Sequence, residues 1–364
     1  MRALITGATG AIGIPVVRRL LAERWCVTAL VRRDLPGEES QRLFHGCVGT
    51  ITGDVTSPLC GIAPDTVADL HGHFDVLIHA AGKTQYFESL REETFHANVG
   101  GTRHALELSQ ALGIPYFVYV STCYVAGRSA YLGEVECGRP DEAHNPYEAS
   151  KVEAESLVRA HKGRTLILRL STVIGDSRVG EVANAGGYAA FVGGFWVARD
   201  RLRRYRENPF WVGLNPESTL NLIPNDWVAE HMAKAIGAGM SGTIHLAHPE
   251  PVRMGWLFDL SVQKLDLPLT YRRVEAERTA RWHDPLWRKI QDSITKGIVG
   301  YFGPYVMRDT TFGLDRATQI PSYRLPPTIS AQILDVQLDY MMNNLFQRKR
   351  VDHRERPAQQ NLPA

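Results

Sequence analysis

A short aliphatic run, RALIT (2–6), enters three glycines, Gly7, Gly10 and Gly13, and leaves as the apolar helical pattern IPVVRRLLAER (14–24). Few folds accept that order. The aliphatic run reads as a buried strand and the spacing after it as a helix with one apolar face. A turn between them that also receives a ligand needs glycine three times: for curvature, for close approach of the ligand to the backbone, and for packing the helix on the strand. The helix N-terminus then offers amide N–H groups and positive dipole to an anion, and a pyrophosphate fits. A second aliphatic run, CVTALV (26–31), completes the unit. This places a dinucleotide over residues 6–13, against Gly7, Thr9, Gly10, Ala11, Ile12 and Gly13.

The end of the second strand selects the dinucleotide. An acidic residue there would bond the ribose 2′-OH of NAD, but Val31 is followed by Arg32 and Arg33. A missing acid and an added guanidinium favour a 2′-phosphate, so NADP(H) is expected, with Arg32 the first contact and Arg33 the second. The competing reading is a pair of arginines that solvate a loop.

Chemistry enters further along. Ser121 and Thr122 close the apolar run YFVYV (116–120), and Tyr147 stands four residues before Lys151. In a helix those two side chains share a face. Free tyrosine titrates near ~10, too high for efficient proton exchange at neutral pH, and an ammonium one turn away favours the phenolate. The pair makes a proton donor, and a hydroxyl at the strand end, as Thr122 would be, holds a substrate oxygen from the other side. Alone, the spacing also describes a solvated surface pair.

Strands are expected near 2–6, 26–31, 48–52, 75–79, 115–121 and 164–170, with helices near 11–23, 66–71, 88–111 and 147–162. That alternation implies an α/β fold, a doubly wound parallel Rossmann-type sheet over 1–170 with a smaller C-terminal substrate lobe mainly over 171–347. Elements near 219–223, 225–238 and 243–247 return to the core, helices near 252–265 and 329–347 complete the lobe, and a polar tail at 348–364 is expected to be disordered. Six glycines between 175 and 194 suggest a mobile loop and substrate lid. With 364 residues, 44% of them hydrophobic, the chain can bury a large core, and a formal charge of +2 gives no reason to invoke nucleic acid. Five cysteines without metal-ligand spacing imply reduced thiols, no metal site and a cytoplasmic setting. The N-terminus is itself the first strand, so no secretory signal is expected, and no apolar run reaches the ~20 residues of a membrane span.

Seven pieces, TGATGAIG (6–13), GDVT (53–56), DVLIHAAG (75–82), HANVGGT (96–102), VSTCYVAG (120–127), NPYEASKVEAE (145–155) and LRLSTVIGD (168–176), occur in one order. Together they resemble the extended short-chain dehydrogenase/reductase superfamily over nearly all of residues 1–250. The resemblance implies that Asp54, beside Val55, approaches the adenine, and that Ala80, Ala81 and Gly82 line the dinucleotide. It implies that Asn98 kinks a helix and supports the proton path, that Thr122 is the active-site hydroxyl with Ser121 the fallback, and that Lys151 also holds the nicotinamide ribose. Singly, Asn98 and Asp54 also read as turn or cap residues. A narrower resemblance is to the male-sterility-type branch of fatty acyl-CoA reductases and thioester reductase domains. It rests on 53–70, where Cys60 and Ile62 replace the usual leucines, and on 84–102, 171–181 and 220–236. Asp226 would there tie the substrate lobe to the nucleotide domain.

The implied activity is hydride transfer from NADPH to a carbonyl, first an acyl thioester on CoA or an acyl carrier protein, giving aldehyde or alcohol. The alternatives are a lipophilic alcohol or ketone, a nucleotide-sugar epimerase or dehydratase, and a redox-sensing protein without catalysis. Nucleotide-sugar enzymes usually carry Asn shortly after the sixth strand, where this chain has LSTVIGD after Arg169, and both Tyr147 and Lys151 are present. RDRLRRYR (199–206) either contacts phosphate and an acidic carrier or solvates a helix face. ITKGIVGYFGPYVM (294–307) walls an acyl tunnel, rests on a membrane surface or packs in the core. Monomer and homodimer are both left open.

Overall fold

Seven strands pair in parallel: β1 (Arg2–Thr6), β2 (Cys26–Val31), β3 (Gly49–Thr52), β4 (Val76–His79), β5 (Tyr116–Thr122), β6 (Arg164–Leu170) and β7 (Gly242–Leu246). This computed structural model describes residues 1–46, 48–184, 186–206, 210–272 and 285–347, so Cys47 and the expected tail lie outside the described residues. The spatial order is β3-β2-β1-β4-β5-β6-β7. It reverses between β1 and β4, and a crevice at their C-terminal ends is where such sheets bind ligands. Thr6 and His79 meet there, Oγ1 to Nδ1 at 2.8 Å.

Alternate residues of each strand feed two cores, which is why the strands read as unbroken aliphatic runs. Ala3 and Ile5 pack with Val16, Val17 and Leu20 of α1 (Gly13–Ala22). Leu4, Leu77 and Phe117 pack on the opposite face with Ala105 and Leu108 of α2 (Gly101–Ala111) and Ala154 and Val158 of α3 (Pro146–Ala160). The fold class is the expected one.

Two stretches depart from expectation. The helix anticipated over 88–111 is broken into a 3₁₀ turn at Glu88–Leu90, a short helix at Arg91–Phe95, a π turn at His96–Gly100 and then α2. Thr94 and Thr102 hydroxyls back-bond to the Leu90 and Asn98 carbonyls, each at 2.6 Å, either side of the widened turn. The glycine-rich stretch expected as a mobile lid contains α4 (Gly187–Leu202) instead. Mid-helix glycine costs about 1 kcal/mol. Burial of Tyr188, Phe191, Val192 and Phe195 against Phe210, Leu257 and Phe258 outweighs it, and Gly193 lets the Phe346 ring approach. The preceding loop is latched: Ser177 donates N–H and O–H to Asp226 at 2.9 and 2.7 Å, Glu181 pairs with Arg18 at 2.7 Å, and the Gln337 amide bonds Gly175 and Asp176.

Candidate active site

The three glycines do different things. Gly7 has φ +71°, and a Cβ on it would run into the Ala80 and Ala81 backbone at 2.6 Å. On Gly13 it would meet the Gly7 and Ala8 carbonyl oxygens at 2.1 and 2.6 Å. Around Gly10 only the Gly7 oxygen is near, at 3.2 Å, and a cavity begins there. α1 opens with no side-chain cap and no acid in its first turn, leaving its amide end for an anion. A cradle that side chains would fill fits a pyrophosphate. Gly10 to Gly13, Ala80 and Gly82 line the cavity, whereas Thr9 borders a neighbouring cleft.

Arg32 and Arg33 follow β2 directly and both are exposed. Arg33 is drawn to Glu39, with N–O distances of 2.9 and 2.7 Å, while among the described residues Arg32 has no ion pair. Asp54 accepts from the Thr56 amide and hydroxyl at 2.9 and 2.8 Å, and those bonds hold its carboxyl below the usual range against the opposing effect of burial. Val55 packs under Gly101 of α2. These four residues stand outside the cavity lining, beyond the ends of β2 and β3.

Strand alternation separates the two candidate hydroxyls. Both residues line the cavity, but Ser121 turns its hydroxyl to the buried Glu155 carboxylate at 2.7 Å. Thr122 reaches the cavity beside Tyr147, whose half-buried ring comes from the first turn of α3. Burial pushes the Tyr147 phenol up to about 12, with the Thr122 and Thr84 hydroxyls pulling it down and the Glu148 charge adding to the rise. This reverses the expected depression by Lys151. The Lys151 ammonium donates one bond to the Val120 carbonyl at 2.9 Å and lies 6.0 Å from the Tyr147 ring centroid, nearer the Tyr119 ring at 4.7 Å. Burial in turn lowers Lys151 to about 8, against an upward pull from Glu155. Asn98, in the π turn, holds the loop after β4: its Oδ1 accepts from the Lys83 amide at 2.7 Å, and its Nδ2 donates to the Lys83 carbonyl at 2.9 Å and the Ser150 hydroxyl at 2.8 Å.

A glycine-cradled switch point beside Thr122, Tyr147 and Lys151 is the setting in which the comparisons with known proteins fall. The family model described as male sterility protein, an NAD-binding domain, matches residues 5–232. The chain belongs to the male sterility protein family. The family model is that of an NAD-binding domain, which agrees with the glycine cradle. A 3β-hydroxysteroid dehydrogenase/Δ5→4-isomerase of Mycobacterium tuberculosis is 30% identical over 167 residues, 44% of this chain and 43% of that protein. A Drosophila melanogaster protein named as a candidate fatty acyl-CoA reductase is 31% identical over 155 residues, 36% of this chain and 29% of that one. The chain thus spans under half the length of these curated relatives. The terminal R domain from the myxalamid PKS-NRPS pathway has the same fold, with a TM-score of 0.74 and 21% identity over 95% of this chain and 91% of that one.

In this male sterility family member the cavity continues past Tyr147 to walls supplied from later in the chain, among them Tyr188, Phe191, Leu257, Phe302, Tyr305 and Val306. Phe302, Tyr305 and Val306 belong to the apolar segment 294–307, whose composition was the one signal for them. Tyr86 and Tyr124, which face Tyr305 with ring centroids 6.0 and 5.0 Å away, carried none. The arginine-rich segment goes elsewhere. Arg203 donates to the Leu265 and Asp266 carbonyls at 3.0 and 3.1 Å, capping α5 (Met254–Leu265), Arg206 pairs with Asp266, and Arg199 lies over the Trp196 ring. None of the five lines the cavity. Among the described residues no helix is long and apolar enough to cross a membrane.

Proposed function

We propose that the chain is an NADPH-dependent reductase acting on an acyl thioester, carried by CoA or an acyl carrier protein, to give an aldehyde or alcohol. One observation carries the reading: a single cavity runs from the glycine turn, past Thr122, Tyr147 and Lys151, to an apolar wall. The names of the fly relative and of the R domain point the same way. The bound dinucleotide supplies hydride. Thr122 and Tyr147 flank the position of the carbonyl oxygen and stabilise the charge that develops on it, and Tyr147 gives up its proton. Lys151, fixed by the Val120 carbonyl, is the cation that would hold a ribose, and Asn98, bonded to the Lys83 backbone, fixes the loop in which Gly82 lines the cavity. A reduced thioester then loses its thiol to leave an aldehyde. Residues 1–170 form the dinucleotide core in this reading, and 171–347 mainly the substrate lobe.

The apolar wall and the mycobacterial steroid dehydrogenase favour one second reading, a ketone or alcohol of lipophilic type. Purified protein with NADPH and a panel of acyl-CoA, acyl-carrier, ketone and nucleotide-sugar substrates separates the two. NADPH oxidation with thioesters and none with ketones supports the first; the reverse establishes the second.

Two expectations attach to the cofactor side. NADPH should bind at least about tenfold more tightly than NADH, a difference of about 1.4 kcal/mol, and Arg32→Ala should erase most of it. Equal affinities of the wild type in a fluorescence titration would remove the assignment. The second concerns pH. Lys151 is charged below about 8 and neutral above it, so kcat/KM should fall as pH rises through that value, and Lys151→Arg, charged throughout, should flatten the alkaline limb even if its rate is lower. A profile flat to pH ~10 in the wild type would take Lys151 out of the chemistry.

A further inference from the structure

Tyr305 comes from the second lobe, in the short helix Gly303–Met307, yet its hydroxyl ends inside the first turn of α3. It donates to the Glu148 carboxylate and accepts from Asn145 Nδ2 at 2.8 Å. Asn145 is the N-cap of α3, its Oδ1 taking the Glu148 amide at 3.0 Å. The other Glu148 oxygen accepts the His144 backbone N–H at 2.8 Å and lies 3.1 Å from His144 Nδ1. The Glu148 side chain has no exposure at all. Tyr147 stands between Asn145 and Glu148 in the chain, so the two residues that Tyr305 holds bracket the candidate proton donor. The same ring walls the cavity against Tyr86 and Tyr124, and Tyr86 packs edge-on to Tyr147 with centroids 6.0 Å apart.

The physical consequence follows from two costs. A helix start leaves orphan amides, satisfied here by the Asn145 side chain, and a buried carboxylate must have its acceptor positions filled. Removing the Tyr305 hydroxyl unsatisfies both partners at once. We propose that Tyr305 is a positioning residue: by holding the Asn145 cap and the Glu148 carboxylate it fixes the first turn of α3 and aims the Tyr147 hydroxyl into the cavity. Seating of the second lobe thereby sets the geometry of the donor. This rests on the assignment of Tyr147 as proton donor. A plain packing role would need the ring alone, which phenylalanine supplies.

The test uses the full chain with NADPH and two probes, hexanoyl-CoA and hexanal. Tyr305→Phe should lower kcat about tenfold while KM stays within about twofold and NADPH affinity is unchanged, because the loss falls on alignment in the transition state. Tyr147→Phe/Tyr305→Phe should turn over no more slowly than Tyr147→Phe, since Tyr305 acts through Tyr147. Amides of 147–150 should exchange faster with deuterium in Tyr305→Phe. A kcat within about twofold of the wild type, or losses that multiply in the double variant, overturns the proposal. If the wild type reduces neither probe, the reductase reading is what has failed, and amide exchange decides: unaltered protection of 147–150 overturns the clasp, and faster exchange supports it.

Discussion

Tyr147→Phe should cut turnover about a hundredfold or more, roughly 3 kcal/mol of transition-state stabilisation, while NADPH binds as it does to the wild type. The ring is retained, so packing against Tyr86 survives, and only the O–H is lost. Burial holds the phenol up to about 12. At neutral pH the group is therefore protonated, which is the form a reductase needs from a donor and the wrong form for a base in the reverse direction. Thr122 remains in the variant but points a weaker acid at the developing alkoxide. Stopped-flow mixing with NADPH and a reducible carbonyl measures the step directly. An unaltered rate would mean that the proton comes from elsewhere.

The dinucleotide half was legible because its constraints are local. Gly7 needs a left-handed backbone and Gly13 has no room for a Cβ, and both restrictions act within the strand–turn–helix unit that the residues themselves announce. Parallel strands buried on both faces likewise leave their mark residue by residue. Ser121 against Thr122 was not decidable in that way. Alternation says that they face opposite sides of β5, but only Glu155, reached by Ser121 across 34 residues, shows which side is taken.

Tyr305 was further out of reach. It meets Glu148 across 157 residues through a lobe whose packing no local pattern specifies. The arginines at 199–206 illustrate the converse. Their clustering is plain in the sequence, yet charge density carries no address, and the fold turns Arg203 and Arg206 to the end of α5 rather than to the cavity. The glycines after residue 185 misled for a related reason. Propensity counts a cost of about 1 kcal/mol for Gly193 and again for Gly194, and the buried aromatic face of α4 exceeds it.

Arg169→Met should cost about 3–5 kcal/mol of folding stability, a large share of the ~5–15 kcal/mol available to a typical domain. Arg169 is wholly buried on β6 and forks onto Glu155, Nε to Oε1 at 2.8 Å and Nη2 to Oε2 at 2.7 Å, with further bonds to the Glu136 carbonyl and to His245. Methionine fills much of the volume but leaves the Glu155 carboxylate facing only the Ser121 hydroxyl and the more distant Arg159 at 3.3 Å. The penalty is thus chiefly that of an uncompensated charge. Arg169→Met/Glu155→Leu should accordingly recover most of the loss in urea unfolding, and a double variant as unstable as the single one would assign the cost to shape instead. Glu155 also pulls the Lys151 ammonium upward from the value that burial sets. Removing that carboxylate therefore leaves Lys151 easier to deprotonate, and the recovered double variant should lose kcat/KM at lower pH than the wild type, coupling the buried ion pair to the chemistry through Lys151, one turn away on the same helix.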